Sequence, residues 1–187
     1  MPFIHPTNFK QLAINKLTDM KEIITEKQYF RQWWILILLG GIDVLILYGL
    51  LSQLITGTPW GDKPLSDTGI IILYICFTLF ALLFMNIGLQ TRIDDQGIHF
   101  KFIPFSRRFT SYLWSDIANC EVREYSPIKE FGGWGIRYGR KGMAYNVSGN
   151  QGIDITLKNG KRVLIGTKKN IEIQKFLSKI EVINKPI

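Results

Sequence analysis

Two stretches of this sequence carry residue types that could do chemistry. The first is Gly132-Gly133-Trp134-Gly135-Ile136-Arg137-Tyr138-Gly139-Arg140-Lys141-Gly142, where glycines alternate with cations and aromatics. A glycine-rich loop can cradle a phosphate when a helix follows it. Here Gly133, Gly135 and Gly139 do not reproduce G-x-G-x-x-G, no helix is expected next, and no Lys-Ser/Thr pair follows. Paired glycines suit a bulge or a tight bend at a sheet corner, with Trp134 either plugging a core or standing out as an anchor. The competing reading is a recognition surface. In it Trp134, Arg137, Arg140 and Lys141 meet an anionic or peptide partner, and Glu130 pairs with Arg137.

The second is Asp43, the one charge in the apolar run Trp33–Ile55. A carboxylate there is either a proton or ion site, or a structural clasp turned toward a neighbouring helix. Thr78, at a similar depth in the next apolar run, is the expected hydrogen-bond donor, and Gly40 and Gly41 would allow a close helix approach. Arg107-Arg108, flanked by Phe105 and Phe109, reads as a solvated loop or as a contact with an anionic bilayer surface.

Little else suggests catalysis. No Ser-His-Asp set, catalytic carboxylate pair or metal cluster can be assembled, and His5 and His99 stand isolated. Cys76 and Cys120 are expected in different compartments and cannot pair. Asn146-Val147-Ser148 matches a glycosylation acceptor by chance. Neither enzyme activity nor a cofactor nor a specific small molecule is expected.

The elements that position these residues start with the apolar pair. Trp33–Ile55 and Gly69–Leu89 are each long enough for a helix to cross hydrocarbon about 30 Å thick, at about 1.5 Å per residue. A central Asp costs about 3 kcal/mol on the insertion scale and each aliphatic residue returns about 0.3–0.6. Fourteen Ile, Leu and Val residues surround Asp43, so insertion wins. Trp33, Trp34 and Trp60 are interfacial anchors. The loop Gly57–Thr68 carries one Lys against two Asp, whereas basic residues crowd both flanks of the pair. Both termini are therefore expected on the cytoplasmic side of an inner membrane.

The net charge of +8 follows the same division. Residues 1–32 carry +2 and residues 91–187 carry +8, while Asp43 and the loop subtract two. A basic domain beside an anionic leaflet explains this without nucleic acid, for which no motif exists. No cleavable signal is expected, since Met1–Asp19 is polar and the first apolar run comes late; Met20 offers a second start. Residues 1–32 read as a cytoplasmic segment with an amphipathic helix (Phe9, Leu12, Ala13, Leu17, Met20, Ile23) and an Asp19/Glu22 capping box. Ile23–Phe30 is ambiguous between strand and helix.

From Thr91 the period changes to two. Strands are expected at Gly97–Phe102, Ser111–Trp114, Ala118–Ser126, Gly135–Arg140, Met143–Ser148, Gln151–Lys158 and Lys161–Thr167, with a hairpin turn at Asn159-Gly160. Thr167 is the expected N-cap of a final helix, whose apolar stripe is Ile173, Phe176, Leu177, Ile180 and Ile183.

These residues resemble a known group. Thr91-Arg92-Ile93-Asp94, Gly97-Ile98, Trp114, Ile117, the run Glu130–Arg137, Ala144–Gly149 and Leu164–Thr167 look like a family of uncharacterised bacterial membrane proteins. Its members carry two transmembrane helices followed by a pleckstrin-homology-like (PH-like) domain, and the resemblance covers about Thr25 to Ile183. It implies a split β-barrel of about seven antiparallel strands capped by a C-terminal helix, and supplies no catalytic residue. Phosphoinositide-binding members place Lys and Arg in the first hairpin loop. Here Asp94-Asp95-Gln96-Gly97 would repel a phosphorylated headgroup. The expected organisation is thus 1–32 cytoplasmic, 33–90 membrane hairpin and 91–187 PH-like domain. Its partners would be the lipid bilayer and a protein, or a second copy in a homo-oligomer.

Overall fold

The computed structural model describes residues 23–139 and 141–184. The amphipathic segment expected before residue 23, His5 and Arg140 lie outside the described residues. The chain divides into two compact units. One holds Tyr29–Ile87 and the other the residues on either side of it.

The first unit is a pair of helices, α1 (Trp33–Leu51) and α2 (Asp67–Met85). A π-helical turn, Ser52–Thr56, extends α1, so that 24 residues run from Trp33 to Thr56. Gly57, at φ 67°, ends it in the left-handed region that glycine adopts freely. Ser66 caps α2 by accepting from the Gly69 N–H at 3.2 Å. Both helices are long and apolar enough to cross a membrane. They are apolar all round, and large side chains such as Ile37, Val44 and Leu83 face outward. The second apolar run stops being helical at Met85. Gly88 and Leu89 already belong to a strand, and since apolar character continues from one element into the other, composition cannot mark the change.

The second unit holds two sheets and a helix. β1 (Ile24–Tyr29), β2 (Gly88–Ile93), β3 (Gly97–Ile103) and β4 (Thr110–Leu113) form the first sheet in that order. β5 (Ile117–Glu124), β6 (Gly135–Gly139), β7 (Gly142–Asn146), β8 (Gln151–Leu157) and β9 (Arg162–Gly166) form the second, in the order β5-β8-β9-β7-β6. The expected barrel does not close, because the strands separate into these two sheets. Nor is the pairing all antiparallel, since β7 and β9 run parallel. A short helix, α3 (Pro127–Phe131), interrupts the chain where continuous strand-and-loop was expected.

On β3 and β8 the core lies where alternation predicted it. Phe100 and Phe102 of β3 and Ile153 and Ile155 of β8 alternate in sequence and are buried, whereas on β9 the consecutive Leu164 and Ile165 are both buried, so that strand is covered on both faces. The Phe100 and Tyr145 rings meet at 4.6 Å. The final helix, α4 (Asn170–Asn184), buries Ile173, Phe176 and Leu177, with Phe176 against Trp114. Thr167 does not cap it. The helix starts at Asn170, and the Thr167 hydroxyl instead donates to Glu26 at 2.6 Å while accepting from the Lys169 N–H.

β1 resolves the ambiguity at Ile23–Phe30 as a strand. Its inward residues are polar: Glu26 also accepts from the Lys168 N–H at 2.8 Å, and Gln28 donates to the Gly166 carbonyl at 2.9 Å. Both side chains are buried. The polar inner face explains why hydrophobic periodicity could not identify this strand.

Candidate functional site

The glycine-rich stretch begins by ending a helix. Pro127 opens α3, and Ser126 Oγ accepts from the Lys129 N–H. Gly132, at φ 73°, closes it; its N–H and that of Gly133 donate to the Ile128 and Pro127 carbonyls. The glycine pair is therefore a helix cap and not a bulge. Trp134 is half-buried, with Nε1 donating to the Gly149 carbonyl at 3.0 Å. Asn146, fully buried, accepts from the Gly135 N–H at 2.8 Å, which fixes the start of β6 against β7. Trp134 is thus a staple between two turns, neither a core plug nor a free anchor.

Glu130 does not pair with Arg137. Arg137 is exposed and turns back, Nε donating to the Trp134 carbonyl at 3.1 Å. Glu130 takes Arg123 at 3.1 Å, Lys141 at 3.2 Å and the Ser126 N–H at 2.9 Å. Arg123 also donates to Asp154 at 2.6 Å, and Arg162 reaches the same carboxylate at 3.0 Å. Burial pushes the Glu130 carboxyl up, but Arg123, the Ser126 N–H and Lys141 outweigh it and hold the pKa at about 2. Burial likewise disfavours the Arg123 cation, and its two carboxylate partners overcome this and raise its pKa. This network links α3, β5, β8, β9 and the β6–β7 turn.

Beside it opens a cleft of about 680 Å³, with Tyr112, Tyr138, Lys141, Met143, Lys161 and Arg162 among its lining residues. Tyr112 comes from β4 and Tyr138 from β6, the last strand of each sheet. Two hairpin tips meet here because glycine permits it. At Gly142, φ 110°, a Cβ would strike the Arg162 carbonyl, and Gly160, φ 81°, turns the chain into Lys161.

A third cluster was not foreseen. His99 is not isolated, for its Nε2 lies 3.1 Å from Asp94 Oδ1 and its Nδ1 2.7 Å from Ser111 Oγ. The cross-strand register His99↔Ser111 sets this geometry, a pairing visible only once β3 and β4 are aligned. Asp94 is buried and also accepts from Arg92 and from the Gln96 and Gly97 N–H groups. Burial would raise its pKa, but His99 and those N–H donors lower it. Of the two carboxylates expected to repel a headgroup, Asp94 is turned inward and Asp95 is exposed.

The remaining expected residues lie elsewhere. Arg107 and Arg108 are both exposed in the β3–β4 connection, where Phe105 and Phe109 are exposed too and Lys101 sits over the Phe109 ring at 4.8 Å. In the helix pair, Thr78 Oγ1 donates to Asp43 Oδ1 at 2.7 Å. A Cβ added at Gly40 or Gly41 would meet nothing within 4 Å, so these glycines admit no close neighbour within the chain. That role falls to Gly49, where the Trp60 indole occupies the space a Cβ would need. Among the described residues no group of His, Cys, Asp and Glu could hold a metal ion.

No curated protein matches the chain. A family model matches residues 18–182, which takes in both apolar helices, both sheets and the cleft. The chain belongs to that family, the family of unknown function DUF6141.

Proposed function

We propose that this chain is an integral inner-membrane protein whose β unit, PH-like in fold, binds a protein partner or a second copy at the cytoplasmic face. Two helices with outward apolar side chains support the membrane anchor. Ile37, Val44 and Leu83 are 66%, 64% and 65% exposed, faces that water would penalise and lipid would not. Basic residues on both flanks and an acidic loop support the orientation. Two packed sheets followed by a helix support the PH-like reading.

The interaction itself rests on β6. It ends the second sheet, its outer edge is unpaired among the described strands, and its side chains stand out: Ile136 is 42% and Tyr138 84% exposed. A groove of about 870 Å³ runs beside it, lined by Lys129, Phe131, Tyr138 and Lys141. Exposed edge strands with large side chains recruit extended segments of other chains. Cross-linking in native membranes, followed by pull-down in mild detergent, should recover a defined partner. Its capture should fall when Ile136→Ser and Tyr138→Ser are combined. A persistently solitary monomer would contradict the reading. In the helix pair, the Asp43–Thr78 bond favours a polar clasp; an ion- or pH-dependent phenotype lost in Asp43→Asn would instead make Asp43 a transport or sensing group.

A further inference from the structure

We propose that the cleft between Tyr112 and Tyr138 binds a phosphorylated organic molecule, Lys141, Lys161 and Arg162 holding its phosphate and the two tyrosines flanking its apolar part. This goes beyond the partner-binding reading and does not depend on it. The volume, about 680 Å³, suits a small ligand. Among the described residues three cations line it and no carboxylate does.

Two of these cations are held in place before any ligand arrives. Lys141 is fixed by Glu130 and Arg162 by Asp154, each bond using only part of the cation's donor set. Arg123 shares both carboxylates, so Glu130 and Asp154 are met by Arg123, Lys141 and Arg162 together, and positive charge remains at the rim. Lys161 is exposed and has no carboxylate partner among the described residues. One Arg and two Lys lining one cleft suit a multiply charged tetrahedral anion better than a lone carboxylate. The close approach at Gly142 and the Gly160 turn bring these three side chains together from two hairpin tips. The lining also includes Tyr112, Tyr138, Met143 and Val163, which are apolar or aromatic.

The phosphate could come from a soluble molecule or from a lipid headgroup, and one experiment separates them. The full chain is placed in phosphatidylcholine nanodiscs and its lysines are acetylated, with rates read by mass spectrometry. Inorganic pyrophosphate should slow Lys141 and Lys161 about fivefold or more while Lys101 and Lys175 keep their rates, an effect of specific charge-assisted contacts. Protection without pyrophosphate, appearing only when the discs contain phosphatidic acid, would assign the site to a lipid headgroup. Lys161→Glu, at an exposed turn position, should weaken pyrophosphate binding about tenfold or more, and Arg162→Lys should weaken it less. A melting curve checks that each variant folds. No protection in either disc, equal protection of Lys101 and Lys175, or unchanged affinity in folded Lys161→Glu would overturn the proposal.

Discussion

The helix pair and the β unit use polar side chains in opposite ways. Between the helices, the carboxylate of Asp43 is bonded to Thr78 within an otherwise apolar surround. In the β unit, polar groups tie strands together. Glu26 and Gln28 lock β1 to the end of β9, Asp154 and Glu130 hold Arg123 between them, and Asp94 gathers four side-chain and backbone donors. The contrast follows from what each unit must bury. An apolar helix satisfies its own backbone and can leave its side chains outward, whereas an open sheet has edges and turns whose polar groups need partners. Stability in the β unit should therefore respond strongly to single substitutions, and the helix pair only weakly.

The largest effect should come from the inter-sheet core. Phe100 is 1% exposed, so Phe100→Ala should cost about 3–5 kcal/mol in denaturant unfolding followed by β-unit fluorescence. Leu45→Ala, on an outward face of α1, should leave that transition in place. Equal losses would erase the contrast. Next comes the ion network. Arg123→Met strips Asp154 and Glu130 of their shared cation, and should cost about 3 kcal/mol in the same assay.

Acid should expose the same network. The Glu130 pKa is about 2 in the folded chain against an ordinary 4.5. Its contribution is therefore complete above pH 4.5 and is lost as the pH falls toward 2. A melting series across that window should show a decline that Glu130→Gln flattens; an unaltered slope in the variant would remove Glu130 from the account. The smallest effect belongs to the helix pair. Thr78→Val should weaken helix association by about 0.6 kcal/mol, the average for polar contacts between helices in a bilayer, measured by steric trapping in lipid. A loss comparable to that of Arg123→Met would mean that the Asp43 clasp organises its unit as strongly as the ion network organises the other.

The candidate site was legible in pieces. Arg137 and Lys141 were marked by their place in the glycine-rich run, yet Glu130 chose Arg123, a residue seven positions back on β5. Asp154 and Arg162 carry no mark in the sequence, because a charged residue on a strand reads as solvent-facing until its neighbours are known. Asp154 is in fact 4% exposed and sits between two arginines. The same holds for His99, whose partners lie five residues before it and twelve after.

The sequence by itself determined the elements whose evidence is local: two apolar helices from run length, the strands β3 to β9 from period-two alternation, and the last helix from its stripe. Each is a pattern in consecutive residues, written by the need to hide apolar side chains on one face or all around. Only the tertiary structure decided that β1 sits at the edge of the first sheet while its buried polar residues bond to the end of β9, that the strands form two sheets instead of a closed barrel, and that two hairpin tips meet at Gly142. Those outcomes depend on hydrogen bonds and ion pairs between residues far apart in the chain, such as Thr167 with Glu26, and such pairing leaves no periodic trace.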